Sequence, residues 1–269
     1  MSAAARAGRF CPHRLSTKFK VVGSFCDYQD NEDHLVKAFL LAAGHGTRLR
    51  PLTDRFPKCL VPICGVPILE IWLEVCRRAG IEEILINLHN HVDLVRAAIE
   101  HKKADLEIRV SEEPTLLGSA GTLLANREWV AGESSFWVLY GDVLTTTDLA
   151  KMAEFHRRRR PVATIGLYQV KDPTRCGVVG FDDNFVVREF EEKPVRPRTN
   201  WAFTGLMVAT SELLNNIPSH LPVDLGFDVL PQLAGRMVAY LITDYMLDIG
   251  TTENYQAAQN SWPGLPRLE

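Results

Sequence analysis

The sequence predicts an α/β fold, a mostly parallel but mixed sheet with helices on both faces, and three observations carry that expectation. Short apolar runs alternate with stretches of helical periodicity from Val36 onward, as βαβ architecture requires. The first run leads at once into the turn Gly44-His45-Gly46. After Arg159 the pattern changes, and the turn signal Asp182-Asp183-Asn184 between two apolar runs announces a hairpin, so antiparallel strands should join the sheet.

Taken in order, Val36 to Leu41 reads as a buried strand. Ile68 to Ala79 places Ile68, Leu69, Ile71, Trp72, Val75 and Ala79 at helical spacing, with Gly80 as the stop. Ile84 to Leu88 is the next strand, Val92 to His101 a second helix, Leu106 to Val110 a strand, Ser119 to Trp129 a helix, and Phe136 to Tyr140 a strand ending at Gly141-Asp142. A helix over Asp148 to Arg159 follows. Val162 to Val170, Val178 to Phe181, Val186 to Phe190 and Trp201 to Ala209 read as strands, Asp228 to Ala234 as a short helix, and Thr252 to Asn260 as the last helix. The expected organisation is a loosely ordered extension over residues 1–36, one domain over 37–260 and a tail over 261–269.

Composition limits the function. The 269 residues are 46% hydrophobic and 23% charged, enough for one large domain or a body with a small appendage. A net charge of -3 argues against general attraction to nucleic acid or an anionic membrane, so a bound anion must be met by a local arrangement. No apolar run approaches the ~20 residues that span a bilayer. The six cysteines contain no C-x-x-C pair, which suits reduced thiols in a cytoplasmic protein. The cationic, acid-free first twenty residues lack a secretory apolar core; a transit sequence or an upstream start are the alternatives to a plain extension.

The stretch Leu41-Ala42-Ala43-Gly44-His45-Gly46-Thr47-Arg48-Leu49-Arg50-Pro51-Leu52-Thr53 carries the most chemistry. Glycines after a strand let backbone N–H groups close on a phosphate chain where a Cβ would hold it away, and Arg48 and Lys58 supply charge. No Gly-Lys-Ser/Thr follows, so this is not a Walker loop, and a plain tight turn would use the same glycines. With Pro57-Lys58 and Gly65-Val66-Pro67-Ile68-Leu69-Glu70 added, the run resembles the signature of the sugar-1-phosphate nucleotidyltransferases, a resemblance that covers roughly Lys37 to Gln259.

That resemblance implies a Rossmann-like nucleotide-diphospho-sugar transferase fold, a nucleoside triphosphate and a sugar 1-phosphate as substrates, pyrophosphate as product and Mg²⁺ as cofactor. It implies that Arg48 holds the pyrophosphate portion, that Lys58 meets the reacting phosphates, and that Leu41, Ala42, Ala43, Gly44, Gly46, Thr47 and Gly141 are substrate-binding residues. Asp142 matches the family's metal aspartate and Asp248 a second one sharing the ion. Capping of a turn or of the helix from Thr252 is the structural alternative for the two. Glu192 would accept from sugar hydroxyls and Lys193 would meet the sugar phosphate. Gly205 matches a family glycine, whereas the family's preceding Asn is Phe203 here, which leaves the sugar open. No side-chain nucleophile or general base is needed, because the attacking phosphate is already ionised.

For the base, Gly118-Ser119-Ala120-Gly121 resembles the Gly-Thr-Ala-Gly of mannose-1-phosphate guanylyltransferases. Glu113 offers two acceptors to the adjacent donors of guanine, with Asn87 a neighbour, so GTP is expected, with a mannose- or heptose-type phosphate. A helix start with dipole-complementing acids is the plain alternative. UTP or dTTP with a hexose or muramic-type phosphate, and a non-catalytic nucleotide-sugar sensor, are the competing functions. Arg157 to Arg160 reads as a solvated helix end, self-association into a homo-oligomer is left open, and neither nucleic acid nor membrane is expected as a partner.

Overall fold

The computed structural model describes residues 35–100 and 106–267. The expected extension therefore lies outside the described residues as far as residue 34, as does the predicted end of the second helix at His101. Leu35, by contrast, is buried in the core and the Val36 carbonyl accepts from the Glu82 and Glu83 N–H groups, so both belong with the body.

The chain forms β1 (Lys37–Leu41), β2 (Pro62–Ile63), β3 (Val66–Pro67), α1 (Ile68–Arg78), β4 (Glu83–Leu88), α2 (Val92–Glu100), β5 (Glu107–Glu112), α3 (Ser119–Ala125), β6 (Ser135–Tyr140), β7 (Val143–Thr145) and α4 (Leu149–Arg159). It continues through β8 (Ala163–Gln169), β9 (Gly177–Phe181), β10 (Val187–Glu192), β11 (Trp201–Thr210), α5 (Ser211–Leu214), β12 (Met237–Leu241), β13 (Met246–Asp248) and α6 (Thr252–Ser261). The main sheet runs β10-β9-β11-β6-β1-β4-β5, with β8 on β11 and β12 on β8. Its β6-β1-β4-β5 part is parallel, whereas β11 runs antiparallel to β6, β8 and β9. The mixed sheet expected from the sequence is the one observed.

Helix α1 buries Ile68, Leu69, Ile71, Trp72, Val75 and Cys76, and Gly80, with φ 73°, stops it in the left-handed conformation. Central strands feed two cores: in β6, Trp137 and Leu139 enter one cluster while Phe136 and Val138 enter the other. Coverage on both faces explains why these strands read as unbroken apolar runs.

Several boundaries differ. The helix expected over Ser119 to Trp129 stops at Ala125 and resumes as a 3₁₀ turn, Arg127–Val130, with Asn126 between them donating back to the Thr122 carbonyl. The helix expected over Asp228 to Ala234 is a π turn, Leu225–Val229, followed by a 3₁₀ turn, Leu230–Leu233, because Pro231 has no N–H to continue a regular ladder. The tail also packs, with Leu265 against the core and Trp262 edge-on to Tyr245. Among the described residues no helix is long and apolar enough to cross a membrane, and Cys59, Cys64, Cys76 and Cys176 are free thiols.

One buried group makes stability pH-dependent. His156 is 2% exposed, with its ring nitrogens 3.1 Å from Ser135 Oγ and 2.9 Å from Thr164 Oγ1, and burial lowers its pKa from 6.5 to about 4. Between those values the unfolded chain binds the extra proton, so stability falls as pH drops through that window, by up to about 3 kcal/mol. Denaturant melts at pH 7 and pH 4.5 should show the loss, and His156→Gln should flatten it.

Candidate active site

The glycine turn opens at the carboxyl end of β1, where open α/β sheets collect ligands. Gly46 is left-handed, with φ 63°, and an added Cβ would stand 2.9 Å from Thr53 Cγ2. Thr53 Oγ1 in turn donates to the Gly46 carbonyl at 2.7 Å. At Gly44 an added Cβ would meet nothing within 4 Å. The two glycines thus serve different ends: Gly46 lets the chain turn, and Gly44 leaves space open beside the backbone. The turn is pinned from behind, since the Ala42 N–H donates to Asn87 Oδ1 at 2.7 Å and the Gly141 N–H to the Leu41 carbonyl at 2.9 Å.

These residues line a cavity of about 380 Å³, within the ordinary range of ligand pockets. Leu41, Ala42, Ala43, Gly44, Gly46, Thr47, Arg48, Lys58, Asn87, Glu113, Gly118, Gly141 and Asp142 are all in its wall. The cavity wall also includes Leu116, Ser119, Tyr140 and Gly250, which sequence reasoning had not assigned. Glu192, Lys193, Gly205 and Asp248 are not in this wall.

The two aspartates nevertheless meet. β7 follows Asp142 directly and pairs with β13, placing Asp248 opposite Val143, and the Ile249 N–H donates to the Asp142 carbonyl at 3.0 Å. Asp142 Oδ2 is 2.5 Å from Lys58 Nζ. Asp248 Oδ1 accepts from the Gly250 N–H at 2.5 Å. Burial, and then the neighbouring Asp142 charge, hold the Asp248 carboxyl above the usual carboxylate range, while Lys58 and Arg48 oppose that shift. Thr251, not Asp248, caps α6, its Oγ1 accepting from the Asn254 N–H at 3.2 Å. No group of three or more His, Cys, Asp or Glu side chains suited to a metal occurs among the described residues. Two adjacent carboxylates with cationic neighbours do fit Mg²⁺, which keeps waters and takes further oxygens from phosphates.

The base side corrects one expectation. Glu113 is 2% exposed. Its Oε1 accepts from Asn87 Nδ2 at 2.9 Å and Thr122 Oγ1 at 2.5 Å, and its Oε2 from the Leu117 N–H at 3.1 Å. Both oxygens already have internal donors, so Glu113 braces the wall instead of presenting a free pair of acceptors to guanine. Glu112 pairs with Arg96, while the Glu113 bond to the Leu117 N–H lies just ahead of the start of α3. Glu113→Gln would aim an amide N–H₂ at one of these donors, and a melt should show a loss of about 1–3 kcal/mol. Gly118 has φ +82°, and its added Cβ would lie 2.2 Å from the Val223 carbonyl oxygen. A distant segment therefore demands this glycine independently of any base.

On the remaining side, Glu192 is half-buried between Gly177 and Gly226, whose added Cβ atoms would stand 2.7 and 2.5 Å from its Oε2. Burial raises its pKa, against the pull of Lys193. Lys193 Nζ lies 3.4 Å from Glu192 Oε1 and 5.1 Å from the centroid of the exposed Phe227 ring. Gly205, with φ +81°, gives room to Tyr140, whose Cβ would be 2.7 Å from an added methyl. Phe203, where the family has Asn, packs edge-on against Tyr140 and Phe190 at 5.8 and 6.1 Å.

Fold and cavity together put the chain among open-sheet α/β proteins with a ligand-sized cavity at the carboxyl ends of parallel strands. More narrowly, it belongs to the nucleotidyl transferase family, whose profile matches residues 37–263. It is 30% identical over 226 residues to the mannose-1-phosphate guanylyltransferase catalytic subunit beta of Xenopus tropicalis, covering 82% of this chain and 62% of that protein. It is 31% identical over 241 residues to the UTP--glucose-1-phosphate uridylyltransferase of Synechocystis, covering 83% and 62%. The chain thus spans about 62% of these curated relatives' length. In fold it is similar to a Bacillus anthracis protein assigned as a glucose-1-phosphate thymidylyltransferase and solved with sucrose: TM-score 0.77, 23% identity, 87% of this chain and 97% of that one. HddC from Yersinia pseudotuberculosis, solved with GMP-PN, gives a TM-score of 0.71 at 24% identity over 84% and 99%.

Proposed function

We propose that this chain transfers a nucleotidyl group from a nucleoside triphosphate to a sugar 1-phosphate and releases pyrophosphate. The observation that carries the reading is the convergence, at one cavity, of the open Gly44 turn, Arg48, Lys58 and Asp142, with Asp248 brought next to Asp142 from outside the wall by the β7–β13 pairing. A sugar phosphate oxygen attacks the α-phosphorus in line with the departing pyrophosphate, and catalysis is positioning plus charge stabilisation. The glycine turn offers backbone N–H groups to the triphosphate, Arg48 neutralises the leaving pyrophosphate, and Lys58 stands beside the reacting phosphate. Asp142 and Asp248 would hold Mg²⁺, which when bound supplies Lewis-acid neutralisation of developing phosphoryl charge. Glu192 accepts from sugar hydroxyls, and Lys193 meets the sugar phosphate.

GTP with a mannose- or heptose-type phosphate is the favoured pair, on the strength of relatives named for guanylyl transfer rather than on Glu113. The uridylyltransferase among the relatives supports a second reading with UTP and a hexose 1-phosphate. Four triphosphates assayed against several sugar 1-phosphates with pyrophosphate detection test both. Highest kcat/KM for GTP with mannose or heptose 1-phosphate is expected; preference for UTP moves the assignment to the second reading, and no pyrophosphate from any pair refutes the enzyme.

A further inference from the structure

We infer that the hydrogen bond between Ser119 and Asp224 is a positioning link that carries filling of the nucleotide cavity to the sugar side of the cleft; the inference rests on the nucleotidyl-transfer reading above. Ser119 is in the cavity wall. Its Oγ donates to Asp224 Oδ2 at 2.9 Å and accepts from the Leu225 N–H at 2.7 Å. The other oxygen of Asp224 accepts from the Gly226 and Phe227 N–H groups at 2.8 and 3.2 Å. This carboxylate therefore holds the turn that follows it from inside. The same turn presses Gly226 against Glu192 and sets the Phe227 ring over Lys193. One serine thus joins the wall beside the nucleotide to the two residues assigned to the sugar phosphate.

The backbone supplies a second, separate tie. Val223 N–H donates to the Leu117 carbonyl at 2.9 Å, and the Val223 carbonyl accepts from the Ala120 and Gly121 N–H groups at 3.0 and 3.2 Å. Those bonds keep the segments side by side without the Ser119 hydroxyl. The hydroxyl extends the tie one step further, into the turn at Glu192 and Lys193. A base seated against Leu116 and Gly118 orders the Gly118–Ser119 wall, and through Ser119 it orders that turn before the sugar phosphate arrives. The second ligand then loses less freedom on binding, and by reciprocity each ligand strengthens the other.

The test measures the affinity of the whole chain for α-mannose 1-phosphate, alone and with a saturating non-hydrolysable GTP analogue. If the substrate matrix selects another pair, that pair replaces them. The ratio of the two affinities is read within each variant, so altered nucleotide affinity divides out. In the unaltered chain the analogue should tighten sugar-phosphate binding by about tenfold, within the usual range of coupling. Ser119→Ala should bring the ratio below about twofold, Ser119→Thr should restore it, and Asp224→Ala should lose it as Ser119→Ala does. An undiminished ratio in Ser119→Ala overturns the link, and so does equal loss in Ser119→Ala and Ser119→Thr, which marks a packing role. Either result with pyrophosphate release intact leaves the nucleotidyl-transfer reading standing; failure of the unaltered chain to bind or turn over any pair removes both.

Discussion

Asp142→Asn should lower kcat for pyrophosphate release by about a thousandfold, or about 4 kcal/mol of transition-state stabilisation, with a much smaller change in nucleotide affinity. Asn fills nearly the same space, so the strand β6, the turn at Gly141 and the β7–β13 pairing should persist. What changes is charge. Lys58 loses the anionic partner held at 2.5 Å, keeping at most a neutral amide oxygen there, and Asp248 loses the charge that, after burial, does most to raise its carboxyl pKa. A divalent ion would then be held by one carboxylate instead of two, just where phosphoryl charge develops. Steady-state kinetics across a Mg²⁺ series, with nucleotide affinity measured separately, check the expectation. Activity within about threefold of the unaltered chain would remove Asp142 from the mechanism.

Arg48→Ala should reduce kcat/KM for the triphosphate by about 10²–10³, in both binding and turnover, because a fixed cation at a leaving pyrophosphate acts before and during the reaction. The geometry adds a second, independent variant. An added Cβ at Gly250 would stand 2.9 Å from Arg48 Nη2 and 2.7 Å from Asp248 Oδ1. Gly250→Ala should therefore push the guanidinium aside and lose activity in the same direction, though less. Arg48→Lys, which keeps the charge but not the planar fork, should fall between the two. Unaltered kinetics in Arg48→Ala would end its assignment to the pyrophosphate.

Most of the main strands and helices were legible because each leaves a local periodic signal, as α1 and β6 do. The short pairs β2–β3 and β7–β13 were not, since two or three residues carry no period. β12 escaped notice as well: Met237 to Leu241 earns its place only by lying parallel to β8. At the site, the residues around Gly44, Arg48, Lys58 and Asp142 stood out as a contiguous motif or at a strand end. Tyr140 ends a predicted strand and Gly250 follows Asp248 by two residues, yet their importance depends on Gly205 and Arg48 from other parts of the chain. Asp224 gave no signal at all, because its partner Ser119 is 105 residues away.

By itself the sequence determined the order of the main strands and helices, which follows from local hydrophobic period, and the glycine turn with its cations, whose side chains lie close together along the chain and carry the family resemblance. Only the tertiary structure decided that Asp248 stands beside Asp142, that Glu113 is consumed inside the protein, and that Gly118 yields to Val223. Those outcomes depend on burial and on donors and acceptors brought together across the sheet. Charge repulsion, hydrogen-bond satisfaction and steric exclusion act over a few ångströms of space, whatever the distance along the chain.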